Sequence, residues 1–138
     1  MKSALNPYIS FKDNAREAMT FYQTVFGGKL VMNTFSDFQS AQDPADADKI
    51  MHAMLEADNG ISFMGADTPS GMTYEPGARI SMALSGDNLD ELKGYFEKLS
   101  AGGKVVLPLE QAPWGDYFGM VHDPFGVEWM VNIAGKKA

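Results

Sequence analysis

The chain has 138 residues, 45% apolar and 21% charged, a composition that suits one folded domain with its own core and excludes a disordered polymer. Its formal net charge of −7 argues against a phosphate-binding surface, and the lack of cysteine removes disulfides, thiolate metal sites and cysteine nucleophiles together. No apolar run reaches the roughly 18 residues of a membrane span, and Met1-Lys2-Ser3-Ala4-Leu5-Asn6-Pro7 has no continuous apolar stretch of the secretory kind. A cytoplasmic protein without nucleic-acid or membrane partners is the expectation.

Pro7 to Phe11 is a short strand. Asp13-Asn14 offers a helix N-cap, with Glu17 as the capping-box partner of Asn14. Ala15, Ala18, Met19, Tyr22, Val25 and Phe26 then recur at helical spacing until Gly27-Gly28 ends the helix. A strand follows from Lys29 to about Phe38, and the polar stretch from Ser40 to Asp48 reads as a loop. Ile50 to Ala57 and Ile61 to Ala66 form a hairpin around Asp58-Asn59-Gly60, a strong turn signal. Pro69, Gly71, Pro76 and Gly77 mark residues 68–78 as a connector.

The pattern then restarts. Arg79 to Ser85 is a strand, Asp87-Asn88 caps a helix carrying Leu89, Leu92, Phe96 and Leu99 on one face, Gly102-Gly103 ends it, and Lys104 to Leu109 begins the next strand. Gly94 inside this helix costs about 1 kcal/mol relative to Ala, so the helix relies on packing. Trp114 to Asn132 is a second hairpin closing on Asp123-Pro124-Phe125-Gly126, where Asp123 serves the turn by taking backbone amides. Phe21-Tyr22 matches Tyr95-Phe96, Gly28-Lys29-Leu30-Val31 matches Gly103-Lys104-Val105-Val106, and Gly60 matches Gly126. The chain is therefore a duplicated βαβββ unit: module one spans about 4–67 and module two about 79–134 of a single α+β domain.

Strand alternation gives each half two faces. Ile9 and Phe11, Ile61 and Phe63, Ile80, Met82 and Leu84, and Val127, Trp129 and Val131 form an apolar set expected to meet the helices. The opposite set mixes polar groups with large apolar ones: Asn6, Tyr8 and Ser10; His52, Met54 and Glu56; Ser62 and Met64; Arg79, Ser81 and Ala83; Phe118, Met120 and His122; Glu128, Met130 and Asn132. Bare solvent rarely faces that many large apolar groups, so a curved, antiparallel-rich mixed sheet enclosing a partly apolar cleft is expected, with helices outside. Ten methionines fit either core filling or an adaptable binding surface.

Pro7-Tyr8-Ile9-Ser10-Phe11, Phe21-Tyr22 with Phe26-Gly27-Gly28, Met51-His52-Ala53 and the run Trp114-Gly115, Gly119, Asp123-Pro124-Phe125-Gly126-Val127-Glu128-Trp129 resemble the vicinal-oxygen-chelate superfamily, and within it the PhnB-like branch. The resemblance implies paired βαβββ modules, a cup-shaped sheet and a homodimer. Its metal-dependent members place His, Gln or Glu at four inward positions. Here those positions fall on Asn6, Met64, Ser81 and Met130, of which two are thioethers and none is His or a carboxylate. No metal or other cofactor is expected, unless a one-residue slip of register brings in Glu56 or Glu128.

The expected ligand is a small, partly apolar molecule touching Tyr8, His52, Met54, Met64, Arg79, Ser81, Trp114, Phe118, Glu128 and Met130. The alternative is a lyase, isomerase or dioxygenase-type enzyme for a small oxygenated substrate, with His52 or Glu56 as base. Glu128 and Arg79 can pair with each other or anchor a polar ligand, and a surface role is expected for His122.

Overall fold

The computed structural model describes residues 6–39, 41–74, 77 and 80–135, and among these the same order of elements occurs twice. The first module holds β1 (Tyr8–Phe11), α1 (Ala15–Phe26), β2 (Lys29–Thr34), β3 (Ile50–Glu56) and β4 (Ser62–Asp67). The second holds β5 (Met82–Gly86), α2 (Leu89–Ser100), β6 (Lys104–Gln111), β7 (Tyr117–His122) and β8 (Glu128–Ile133). The strands divide into two four-stranded sheets of identical topology, β1-β4-β3-β2 and β5-β8-β7-β6. In each, the first and last strands of the module pair in parallel and the remaining pairs are antiparallel. The result is an α+β chain of two βαβββ modules, which separates into two compact units between residues 76 and 77.

Each helix covers one face of its own sheet. Ala15, Ala18, Met19, Tyr22, Val25 and Phe26 of α1 are buried together with Phe11, Ala53, Leu55 and Phe63. Tyr22 and Phe26 both meet Phe63 edge-on, with ring centroids 5.4 and 6.0 Å apart. In the second module Leu92, Tyr95, Phe96 and Leu99 of α2 are buried, as are Leu84, Val121, Trp129, Val131 and Ile133 of its sheet. Ile80, expected in this apolar set, is instead 82% exposed: the strand starts only at Met82, so alternation does not reach it. Arg79 lies outside the described residues.

The Gly-Gly that ends each helix has a steric cause beyond the turn itself. Gly28 adopts φ +87°, and a Cβ there would stand 2.2 Å from the Glu56 carbonyl oxygen. At Gly103 the same atom would stand 2.2 Å from the carbonyl oxygen of His122. In both modules the chain leaving the helix passes directly over the end of the hairpin's first strand, and only glycine allows that approach.

Two local expectations are corrected. The strand from Lys29 stops at Thr34, because the Asp37 carboxylate accepts from the Thr34 amide at 2.8 Å while Thr34 Oγ1 accepts from the Asp37 amide, folding residues 36–38 into a short 3₁₀ turn. The capping box at Asn14 does not form, although its counterpart Asn88 does accept from the Glu91 amide at 3.0 Å. Asp13 has φ +66°, and the first amide of α1, that of Ala15, is taken by Asp67 at 2.9 Å. The second carboxylate oxygen of this buried aspartate accepts from the Ile50 amide, also at 2.9 Å, so one side chain at the end of β4 ties down the starts of α1 and β3. Beside it, buried Asp46 is held by Lys49 Nζ at 2.8 Å and by the Ser70 hydroxyl at 2.7 Å.

Replacing Asp67 by Ala leaves two buried amides without an acceptor, an expected loss of about 2–4 kcal/mol in urea unfolding. Asp67→Asn, which keeps one carbonyl acceptor, should recover part of that loss. Equal stability of the Ala variant and the native chain would show that these amides find other partners.

Candidate functional site

The face of each sheet turned away from its helix is where the candidate residues gather. In the first, cross-strand register aligns Tyr8 with Met64, Met64 with Met54, and Met54 with Val31. His52 stands two residues from Met54 and pairs with Asn33, while Glu56 pairs with Ser62 and Lys29. Tyr8, Met64, Met54, His52 and Glu56 therefore share one face, as alternation requires. The Tyr8 hydroxyl and His52 Nδ1 are 3.4 Å apart, a long contact whose donor depends on the imidazole tautomer, and the rings lie 5.9 Å apart, tilted by 37°. Partial burial pushes the Tyr8 phenol above its ordinary pKa, so it stays a neutral donor at physiological pH. Beside this pair Lys29, Val31, His52, Met54 and Glu56 line a depression of about 240 Å³.

In the second module the register aligns Ala83 with Met130 and Met130 with Met120, two residues from the pairing of His122 with Glu128. Glu128 has both oxygens engaged: the Ser81 hydroxyl donates to Oε1, and His122 Nε2 lies 2.9 Å from Oε2. The Ser81 hydrogen bond first, and the His122 contact second, hold the Glu128 carboxyl below the usual carboxylate range. This cluster is centred on the acid. The imidazole does not lie between serine and carboxylate, so it is not a relay that would activate Ser81 as a nucleophile. Phe118 pairs with Asn132 on the same face, and Trp114, 76% exposed, caps the tight turn from Ala112 to Gly115.

Ser81 and His122 engage Glu128, while its expected partner Arg79 lies outside the described residues. His122, expected at the surface, is the partner the sequence reading missed. A signal for it existed: in a hairpin turning at Asp123-Pro124-Phe125-Gly126, the residue before the turn falls opposite the second residue after it.

The four positions that the resemblance assigns to metal ligands are Asn6, half-buried ahead of β1, Met64 on β4, Ser81 ahead of β5, and Met130 on β8. The register holds both methionines on the open faces, which Glu56 and Glu128 share. Thioethers are poor ligands for hard or borderline cations, and Ser81 already donates to Glu128. Among the described residues no group of three or more His, Asp or Glu converges as a metal site. The donor set does not fit the metal that the fold implies.

This duplicated topology is that of the Glyoxalase/Bleomycin resistance protein/Dioxygenase superfamily, whose family model matches residues 4–131, and the chain belongs to it. Protein YjdN of Escherichia coli K12 is 31% identical, with 94% of each chain covered. The crystal structure of protein PA1353 from Pseudomonas aeruginosa is similar at 36% identity and a TM-score of 0.81, covering 98% of this chain and all of that one. A PhnB protein from Bacillus cereus, 25% identical over 96% of this chain and 100% of its own, has a TM-score of 0.77 and places the chain in the PhnB-like branch.

The lowered Glu128 pKa has a definite sign. A carboxylate depressed in the folded state contributes stability above its ordinary value of about 4.3, and loses it as pH falls through the folded value. The urea midpoints of the native chain and Glu128→Gln should therefore differ at pH 6 and converge as the pH falls through the lowered folded value. A difference that persists unchanged into acid would contradict the assignment.

Proposed function

We propose that this chain binds a small, partly apolar molecule on the open faces of its sheets, without a metal ion. The observation that carries the reading is a matched pair of thioethers. Met54 lies opposite Met64 in the first module and Met120 opposite Met130 in the second, and Met64 and Met130 are two of the positions the resemblance assigns to metal ligands. Methionine pairs give a soft, adaptable apolar surface with affinity for aromatic edges. The proposed polar contacts are Tyr8 and His52 in the first module, and Ser81 and Glu128 in the second, with Phe118, Trp114 and Arg79 completing the set. A cytoplasmic homodimer belongs to the same proposal. The cysteine-free sequence suits a reducing compartment, and exposed Val106 and Leu107 suit burial against a second copy. No helix among the described residues is long and apolar enough to cross a membrane.

A second reading, lyase, isomerase or dioxygenase-type turnover of a small oxygenated substrate, is favoured by one feature. His52 and Glu56, the two candidate bases, both line the 240 Å³ depression.

The test is a thermal-shift screen of small aromatic and aliphatic oxygenated compounds in excess chelator. A true ligand at 100 times its Kd stabilises the native state by ~2.7 kcal/mol, a shift of several degrees, and Met64→Glu should abolish it. Stabilisation by divalent ions alone would overturn the metal-free reading. Chemical conversion of the stabilising compound, lost in His52→Ala or Glu56→Gln, would move the assignment to the enzyme.

A further inference from the structure

The duplication supplies an internal control for a second cavity, on the opposite side of the second module from its open face. Aligning the two 12-residue helices end to end puts Ala15, Met19, Tyr22 and Gln23 of α1 against Leu89, Lys93, Phe96 and Glu97 of α2. In the first module Ala15, Met19 and Tyr22 are fully buried and the helix–sheet seam is closed. In the second a groove of about 380 Å³ opens between α2 and β6, within the size range of small-molecule sites. Two differences make it. A lysine replaces the core methionine, and the eight residues of β6 pair along only six of β7, with register shifts on either side of Leu107.

Phe96, Val105, Leu109 and Tyr117 line the groove as an apolar trough, and Lys93 and Glu97 stand on it one helical turn apart. Among the described residues no ion pair engages either charge. Lysine preceding glutamate at this spacing is the weaker order for a helical pair. Two unpaired charges of opposite sign beside an apolar trough complement a compact zwitterion with an apolar tail. We propose that this groove binds a small molecule of the amino-acid kind bearing an aromatic or branched apolar side chain. Its carboxylate meets Lys93, its ammonium meets Glu97, and its side chain lies between Phe96 and β6. This site is independent of the open faces.

The test is calorimetric titration of the full chain with L-phenylalanine, 2-phenylethylamine and 3-phenylpropanoate as probes. Phenylalanine should bind saturably at one site per chain, and each analogue, lacking one charge, should bind at least about tenfold more weakly. Lys93→Met and Glu97→Gln, both at exposed positions, should weaken phenylalanine to a similar extent, and Val105→Phe, which fills the trough, should remove binding. Met64→Glu should leave it unchanged. No saturable binding, or equal binding of 3-phenylpropanoate, overturns the proposal. Loss of phenylalanine binding in Met64→Glu places the ligand on the open face and overturns the groove while leaving the previous reading intact. Conversion of an assembled form to monomer by Val105→Phe would assign the groove to a second copy of the chain instead.

Discussion

The Asp123 carboxylate, 4% exposed, accepts from the amides of Phe125 and Val127 at 2.9 and 3.0 Å and from the indole N–H of Trp129 at 2.8 Å. One side chain thus closes the turn, orients the largest core residue and fixes where β8 begins. A slip by one residue would turn Trp129 out of the core and Glu128 into it, which the cost of a buried unpaired charge forbids. With the register set, His122 falls opposite Glu128 and Met120 opposite Met130. The first module uses Asp67 in a comparable way, joining the starts of α1 and β3 to the end of β4. The candidate site rests on these two buried acids, although neither belongs to it.

The modules share a topology and differ in chemistry. The first presents an aromatic–imidazole pair, Tyr8 with His52, whereas the second presents a charged cluster in which Glu128 is held by Ser81 and His122. Both retain a cross-strand methionine pair. The depressed Glu128 pKa makes it a persistent negative charge and a weak proton acceptor, better suited to anchoring a donor group than to general-base work. On the helix side the divergence is larger, since the first module is packed shut and the second opens along α2 and β6.

Much of the fold was legible in the sequence because its signals are local. Helical spacing from Ala15 to Phe26 gives α1 at its observed limits, and Asp58-Asn59-Gly60 and Asp123-Pro124-Phe125-Gly126 mark the two hairpins. The alternation of Tyr8, His52, Met54, Met64 and Met130 likewise gives the open faces. What escaped depends on contacts distant in the chain. Asp67 caps a helix 52 residues earlier in place of Asn14, so a local capping rule fails there. The engagement of Glu128 by Ser81 spans 47 residues. The early stop of β2 is a competition between ladder and side-chain hydrogen bonding at Thr34 and Asp37, which strand propensity alone does not resolve.

The most direct measurement is NMR of the chain labelled with ¹³C-methyl methionine, titrated with a compound that stabilises it in the presence of chelator. The account predicts that the methyl signals of Met54, Met64, Met120 and Met130 move with the ligand while that of Met19, buried on the inner face of α1, stays in place. Open-face methyls that remain still, or that move only when a divalent ion is added, would contradict metal-free binding on these sheets.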